Sequence, residues 1–192
     1  MRLLLGVLFA LMIAATFGLG ATWFAVTHAA AFGPIRVGAW TAWPKTGTPD
    51  IDPYARATMA RNGGLPIASG DGIAFFARTD DAGRALDGRC EIVLEGLTPA
   101  ARFWTLTLYD PDGRLIVNAA DRYAFTSQEI TRQADGHFTI AIGPRARAGN
   151  WLPTGGADHI VLVLRLYDTP VGAATRIGRE AAMPSITQGG CP

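Results

Sequence analysis

Residues 3–26 read "LLLGVLFALMIAATFGLGATWFAV", without a charge and almost without a polar group. No other feature restricts the fold of this chain so strongly. A cleavable leader has an apolar core of about 7–15 residues, whereas a membrane-spanning helix needs about 20. The length predicts a helix that spans a bilayer and stays attached. At about 1.5 Å per residue, twenty residues from Leu3 cross about 30 Å of hydrocarbon. Trp23 and Phe24 then fall at the far interface, where aromatic rings settle. Arg2 flanks the run, and the next charge is Arg36. By the positive-inside bias the N-terminus stays in the cytoplasm and the body is exported. The competing reading is a leader cleaved near "THAAAFG", which also exports the body. The expected division is an anchor over residues 1–32, contacting the membrane through residues 3–26, and one domain over residues 33–192.

The body carries no electrostatic signature of nucleic-acid binding. Seventeen basic residues balance 16 acidic ones for a net charge of +1, and a nucleic-acid surface needs a basic patch or stripe. The 23 glycines and 12 prolines are scattered rather than tandem, as in a turn-rich β protein.

Strand patterns dominate after one short helix. "DIDPYARATMARNGG" has Asp52 as N-cap, Pro53 at the first helical position, and Gly63 or Gly64 as the stop. "GIAFFART" follows at residues 72–79, and then the polar turn "DDAGRALDG". In "CEIVLEG", Cys90, Ile92 and Leu94 share an apolar face, while Glu91 and Glu95 share the other with Val93. In "RFWTLTLYDPDGRLIVN", Trp104, Leu106 and Leu108 line one face and Phe103, Thr105, Thr107 and Tyr109 the other. "DPDG" is a turn, so Leu115 and Val117 are expected on the return strand of a hairpin. "AFTSQEITRQ" is expected to add a helical turn capped by Ser127. "HFTIAIG" alternates, with Phe138, Ile140 and Ile142 on one face. "HIVLVLRLYD" is apolar on both faces up to Arg165, the pattern of a central strand. The sum is a mainly β chain, a β-sandwich with one or two short helices behind a transmembrane helix.

Cys90 and Cys191 are the two cysteines. They lack C-x-x-C spacing and are too few for the usual four-ligand zinc site. An oxidising compartment favours a disulfide between them, stapling the C-terminal tail to a core strand.

Several stretches together resemble one bacterial family: "GAWTAWP", "DPYARA", "LDGRCEIVLEG", "RFWTLTLYDPDG", "DRYAF", "NWLPT" and "LVLRLYDTP". The family is called domain of unknown function 1214, and the likeness runs in order over residues 38–192. It implies a jelly-roll-like sandwich. It also implies a domain that usually follows a companion, domain of unknown function 1254, in a two-domain β-rich protein; here a membrane helix stands in the companion's place. It implies no activity and no catalytic residues. The chain departs from the pattern at "GIAFFART", which is apolar where members often carry an acidic residue and a tyrosine. For a bacterial chain the expected location is the inner membrane, single-pass, with the domain in the periplasm.

Chemistry is sparsely signalled. No G-x-S-x-G elbow presents a serine. His137 and His159 each open a strand pattern, and with Asp158 they offer a candidate metal set without the compact H-x-H spacing. The expectation is no metal and no cofactor. "DPDG" and "TDDAG" lack the rest of a calcium loop. Glu91, Glu95, Asp110 and Asp121 are candidate glycosidase carboxylates that sequence does not place. Arg122, Tyr123, Asn150, Trp151, Arg165 and Tyr167 are the candidate ligand-binding residues, being aromatic, arginine or polar groups at strand ends and loops. Trp151, in the loop "NWLPTGG", is expected to close one end of the sandwich core. Tyr167 is expected to hydrogen-bond across a sandwich corner. Arg165 needs a partner for its charge, and Asp121, Asp158 or Asp168 are the candidates. Three functions follow: a binding or accessory module of the envelope, an enzyme with a site near Trp151, His159 and Arg165, or a dock for a separate protein carrying the companion domain.

Overall fold

The computed structural model describes residues 1–28, 34–62, 66–68, 70–172 and 182–191. Helix α1 spans Arg2–His28. It lies outside the folded body with its large apolar side chains exposed, and it is long and apolar enough to cross a membrane. The cleavage region proposed for a leader and the glycines proposed to stop the second helix lie mainly outside the described residues. That second helix, α2, covers Pro53–Asn62. Asp52 caps it as expected, its Oδ1 accepting the N–H groups of Tyr54 at 2.9 Å and Ala55 at 3.1 Å.

The strands are β1 (Ile35–Val37), β2 (Trp40–Ala42), β3 (Gly72–Ala77), β4 (Glu91–Gly96), β5 (Phe103–Tyr109), β6 (Ala124–Thr126), β7 (Phe138–Gly143), β8 (Asn150–Pro153), β9 (Val161–Tyr167) and β10 (Ser185–Gly189). They form a sandwich of a six-stranded sheet, ordered β1-β2-β3-β9-β5-β6, and a four-stranded sheet, ordered β10-β4-β7-β8. The chain repeatedly crosses between the sheets, as in a jelly roll. All pairs are antiparallel except β7 with β8. β9 is central, between β3 and β5, in agreement with its two apolar faces.

The core lies between the sheets. Ile73, Phe75 and Ala77 of β3, Leu162, Leu164 and Leu166 of β9, and Trp104, Leu106 and Leu108 of β5 meet Ile92, Leu94, Phe138, Ile140 and Ile142 from the other sheet. Trp104 and Phe138 stack across the gap at 5.5 Å. Cys90 is buried on the Ile92 and Leu94 face and is bonded to Cys191. The bridge holds β10 at the sheet edge, where side chains hold it too. Asp81 accepts the Ile186 N–H at 2.7 Å. Gln188 accepts the Asp87 N–H at 2.8 Å, and its amide donates to the Ala85 carbonyl at 3.2 Å.

One turn type recurs. In "DDAGR" and "DPDGR" the aspartate N–H donates to the arginine carbonyl, and the glycine N–H donates back to the aspartate carbonyl. The aspartate Oδ1 accepts the arginine N–H at 2.8 Å in both. Gly83 and Gly113 take the left-handed position, with φ of 82° and 83°. This is a tight reversal with glycine at the left-handed site.

Three local expectations need correction. The hairpin after "DPDG" makes one bridge, Tyr109 to Leu115, and then stops. Asn118 draws the chain away. Its amide donates to the Ile116 and Arg122 carbonyls, and its oxygen accepts the Ala120 and Arg122 N–H groups. A side chain that offers local partners competes with the ladder, and β6 fills the edge of β5 instead. "AFTSQEITRQ" is that strand followed by a turn, not a helical turn capped by Ser127; the Ser127 hydroxyl accepts the Trp104 N–H at 3.4 Å. "NWLPTGG" is only partly a loop. Its first four residues are β8, and the turn sits at Gly155 and Gly156, both at positive φ.

Candidate functional site

Alternation along each strand decides which candidate residues can meet. Leu162, Leu164 and Leu166 face the core, so Val163, Arg165 and Tyr167 face outward from the six-stranded sheet. The register aligns Phe76, Val163 and Thr107 in one row, and Ala74, Arg165 and Thr105 in the next. Gly72, Tyr167 and Phe103 form the third. This outer face is aromatic. Phe103 meets Tyr167 at 5.9 Å, and Trp43 meets Phe76 edge-on at 5.8 Å. Tyr167 therefore packs on a ring rather than bonding across a corner.

Arg165 is the cation at the centre of that face. Its guanidinium lies 5.5 Å from the Tyr109 ring centre and donates to the Tyr109 hydroxyl at 3.3 Å. Val163 lies between them in the register and is 2% exposed, as expected where a long stem covers an apolar side chain. None of the three expected carboxylates reaches Arg165. Asp158 pairs with Arg89 at 3.2 Å and Asp168 with Arg102 at 3.8 Å. Asp121 takes a hydrogen bond from Tyr123, which pushes the Tyr123 phenol up, helped by burial and by the carboxylate charge. Among the described residues Arg165 has no ion-pair partner.

Trp151 lies on the far side. Ile140 and Ile142 face the core, and β8 pairs with β7 through Ile140 to Asn150, Ala141 to Trp151 and Ile142 to Leu152. Trp151 therefore faces outward from the four-stranded sheet. Its indole N–H donates to the Gly143 carbonyl at 3.1 Å, and its own carbonyl accepts from Arg122 at 3.0 Å. The expectation that Trp151 closes the core fails because of strand phase. Leu152, with no exposed surface, is the β8 residue in the core. Above the stacked Trp104 and Phe138 it is Arg132 that sits, 5.7 Å and 5.4 Å from their ring centres.

Asn150 is nearly buried and fully occupied. Its amide donates to the Thr131 and Thr139 carbonyls at 2.9 Å each, and its oxygen accepts the Thr131 N–H at 2.9 Å. Arg122 and Tyr123 line an open depression of about 410 Å³ with Asp121, Phe125 and Glu129. Glu129 is turned to its own loop, accepting from Thr126 N–H and hydroxyl.

Trp151 and Arg165 lie on opposite outer faces of the sandwich, so the expected enzyme site joining them with His159 does not assemble. His137 pairs with Asp135 at 3.1 Å. Among the described residues no group of three or more His, Cys, Asp and Glu is placed to hold a metal ion. Glu91 pairs with Arg147, and Asp110 caps its own turn. Asp87 is held down at about 2 by the Arg89 hydrogen bonds and charge, with burial opposing. Asp80 is buried, which pushes its carboxyl up, but the Arg84 N–H, side chain and charge outweigh that and lower it. These carboxylates hold turns.

Tyr109, Phe76, Trp43 and Phe103 belong to the Arg165 face and were not among the candidates. Their signal was present: β5 puts aromatic rings at both ends of its outward face, and "GIAFFART" is apolar on both faces.

A model of the family described as protein of unknown function (DUF1214) matches residues 71–171, over half of the chain. Two solved structures are similar. The VPA0106 protein from Vibrio parahaemolyticus is 22% identical with a TM-score of 0.58, over 73% of this chain and 36% of that one. A putative uncharacterized protein from Burkholderia cenocepacia is 17% identical with a TM-score of 0.42, over 75% of this chain and 44% of that one. The chain thus spans less than half the length of either. The first likeness shows the fold. No curated protein matches the chain.

Proposed function

We propose a function from the premise that the chain belongs to the DUF1214 family of proteins of unknown function. The reading is a membrane-anchored binding module of the bacterial envelope. α1 holds it in the inner membrane, N-terminus in the cytoplasm, and the sandwich stands in the periplasm. Its binding surface is the outer face of the six-stranded sheet. Its partner is a protein segment that sets a carboxylate among apolar side chains. The separate companion-domain protein implied by the family resemblance is the first to try.

The carrying observation is Arg165, whose guanidinium lies against the Tyr109 ring and hydroxyl on an aromatic sheet face and has no ion-pair partner among the described residues. A cation on an apolar sheet face needs a counter-charge or solvent. Arginine and aromatic side chains are also the types that dominate binding energy at interfaces. Among the described residues no pair of titratable groups offers a comparable reason to read the chain as an enzyme.

The test places a photo-crosslinking amino acid at Ala74, beside Arg165 in the register, or at Thr187 on the other sheet, in the full chain in its native membranes. The Ala74 position should capture one protein that Thr187 does not. That protein, purified, should bind the wild type and lose affinity about tenfold or more with Arg165→Ala. Equal capture at both positions, or unchanged affinity in Arg165→Ala, sinks the reading.

A further inference from the structure

We infer that α2 docks on the anionic headgroup layer where α1 leaves the bilayer, with Arg61 binding lipid phosphate; this rests on the reading of α1 as a membrane anchor. Twenty residues from Leu3 bring α1 to the far interface at Trp23. Arg61, in the last turn of α2, sets its guanidinium 4.7 Å from the Trp23 ring centre. It forms one wall of an open groove whose other lining is Leu19, Gly20, Thr22, Trp23 and Val26 of α1. The contact therefore sets the depth of Arg61. Its charge sits beside the last two turns of an apolar spanning helix, at headgroup level.

Two further observations agree. Among the described residues no carboxylate lies within ion-pair distance of Arg61, so its exposed guanidinium keeps donors for an anion at headgroup level. Phosphate suits it, since the planar donors of arginine match phosphate oxygens. The rest of α2 is also shaped for an interface. Tyr54, Ala57 and Arg61 follow at helical spacing on one exposed face, while Ala55, on another face, is 4% exposed. A tyrosine and an arginine flanking a small residue lie flat on a headgroup layer. Asp50 and Asp52 stand at the opposite end of the helix, away from the Trp23 contact. Docking would hold the sandwich close against the membrane by two attachments, a span and a surface helix.

The experiment reconstitutes the full chain in nanodiscs of phosphatidylcholine alone or with phosphatidylglycerol and follows amide hydrogen exchange across residues 53–62. Exchange should be about fivefold slower in the anionic discs, the worth of one arginine at such a surface. Arg61→Ala should abolish the difference, and Arg61→Lys should keep part of it. Equal exchange of the wild type in both discs overturns the docking while leaving the anchor intact, as does an unchanged difference in Arg61→Ala. The wild-type comparison needs no variant, so loss of the helix in Arg61→Ala leaves it readable. A chain that does not enter the discs at all overturns the anchor, and the docking with it.

Discussion

Asn150 and Arg165 are both polar residues in strands, yet their surroundings differ in kind. Asn150 meets backbone groups on three sides, so it ties the 131 loop to β7 and β8. Removing it orphans the Thr131 N–H and carbonyl and the Thr139 carbonyl. Asn150→Ala should cost about 2–4 kcal/mol, read as a lowered midpoint in thermal unfolding of the detergent-solubilised chain. An unchanged midpoint would mean those groups find water instead. Arg165 meets a ring and a hydroxyl, so its removal should cost far less stability and show in binding. Neither difference was legible in sequence. Both residues read there as polar groups near strand ends, and only the register tells what lies opposite.

At the scale of elements, β10 depends most on contacts from elsewhere. It is five residues long and sits at a sheet edge. The bond from Cys191 to Cys90 closes a separation of 101 residues. By chain entropy such a closure contributes up to about 4–5 kcal/mol. Cys191→Ser should therefore lower the unfolding midpoint, and reductant should lower that of the wild type similarly. Alkylation of the denatured, unreduced protein should label neither cysteine; two labels would refute the bridge. The pairing was legible from the cysteine count and the expectation of an oxidising compartment. The strand was not, because "SITQG" is short and polar at alternate positions, and the aspartates and glutamine that seat it lie about a hundred residues apart in sequence.

At the scale of the molecule, a two-sheet sandwich hangs behind a helix that contributes nothing to its core. α1 keeps its apolar side chains exposed, as a helix built for lipid does. After an alkaline carbonate wash the chain should stay in the membrane fraction at the mass of all 192 residues. Recovery of a shorter soluble form would show that the segment is a cleaved leader. The outer face of the six-stranded sheet also belongs to this scale, since β3, β5, β9 and the Trp43 loop build it together.

The sequence by itself determined the class of this protein. An uninterrupted apolar run, period-two alternation, D-x-x-G-R turns and a doubly apolar strand are local patterns, and each reports the solvent its residues must meet. Tertiary structure decided the phase of β8, and with it that Leu152 rather than Trp151 enters the core. It decided that Asn118 ends the hairpin and that Arg165 and Trp151 lie on opposite faces. Those outcomes depend on which strands pair and in what register. A shift of one residue exchanges the two faces of a strand, and the residues that set the register are distant in sequence.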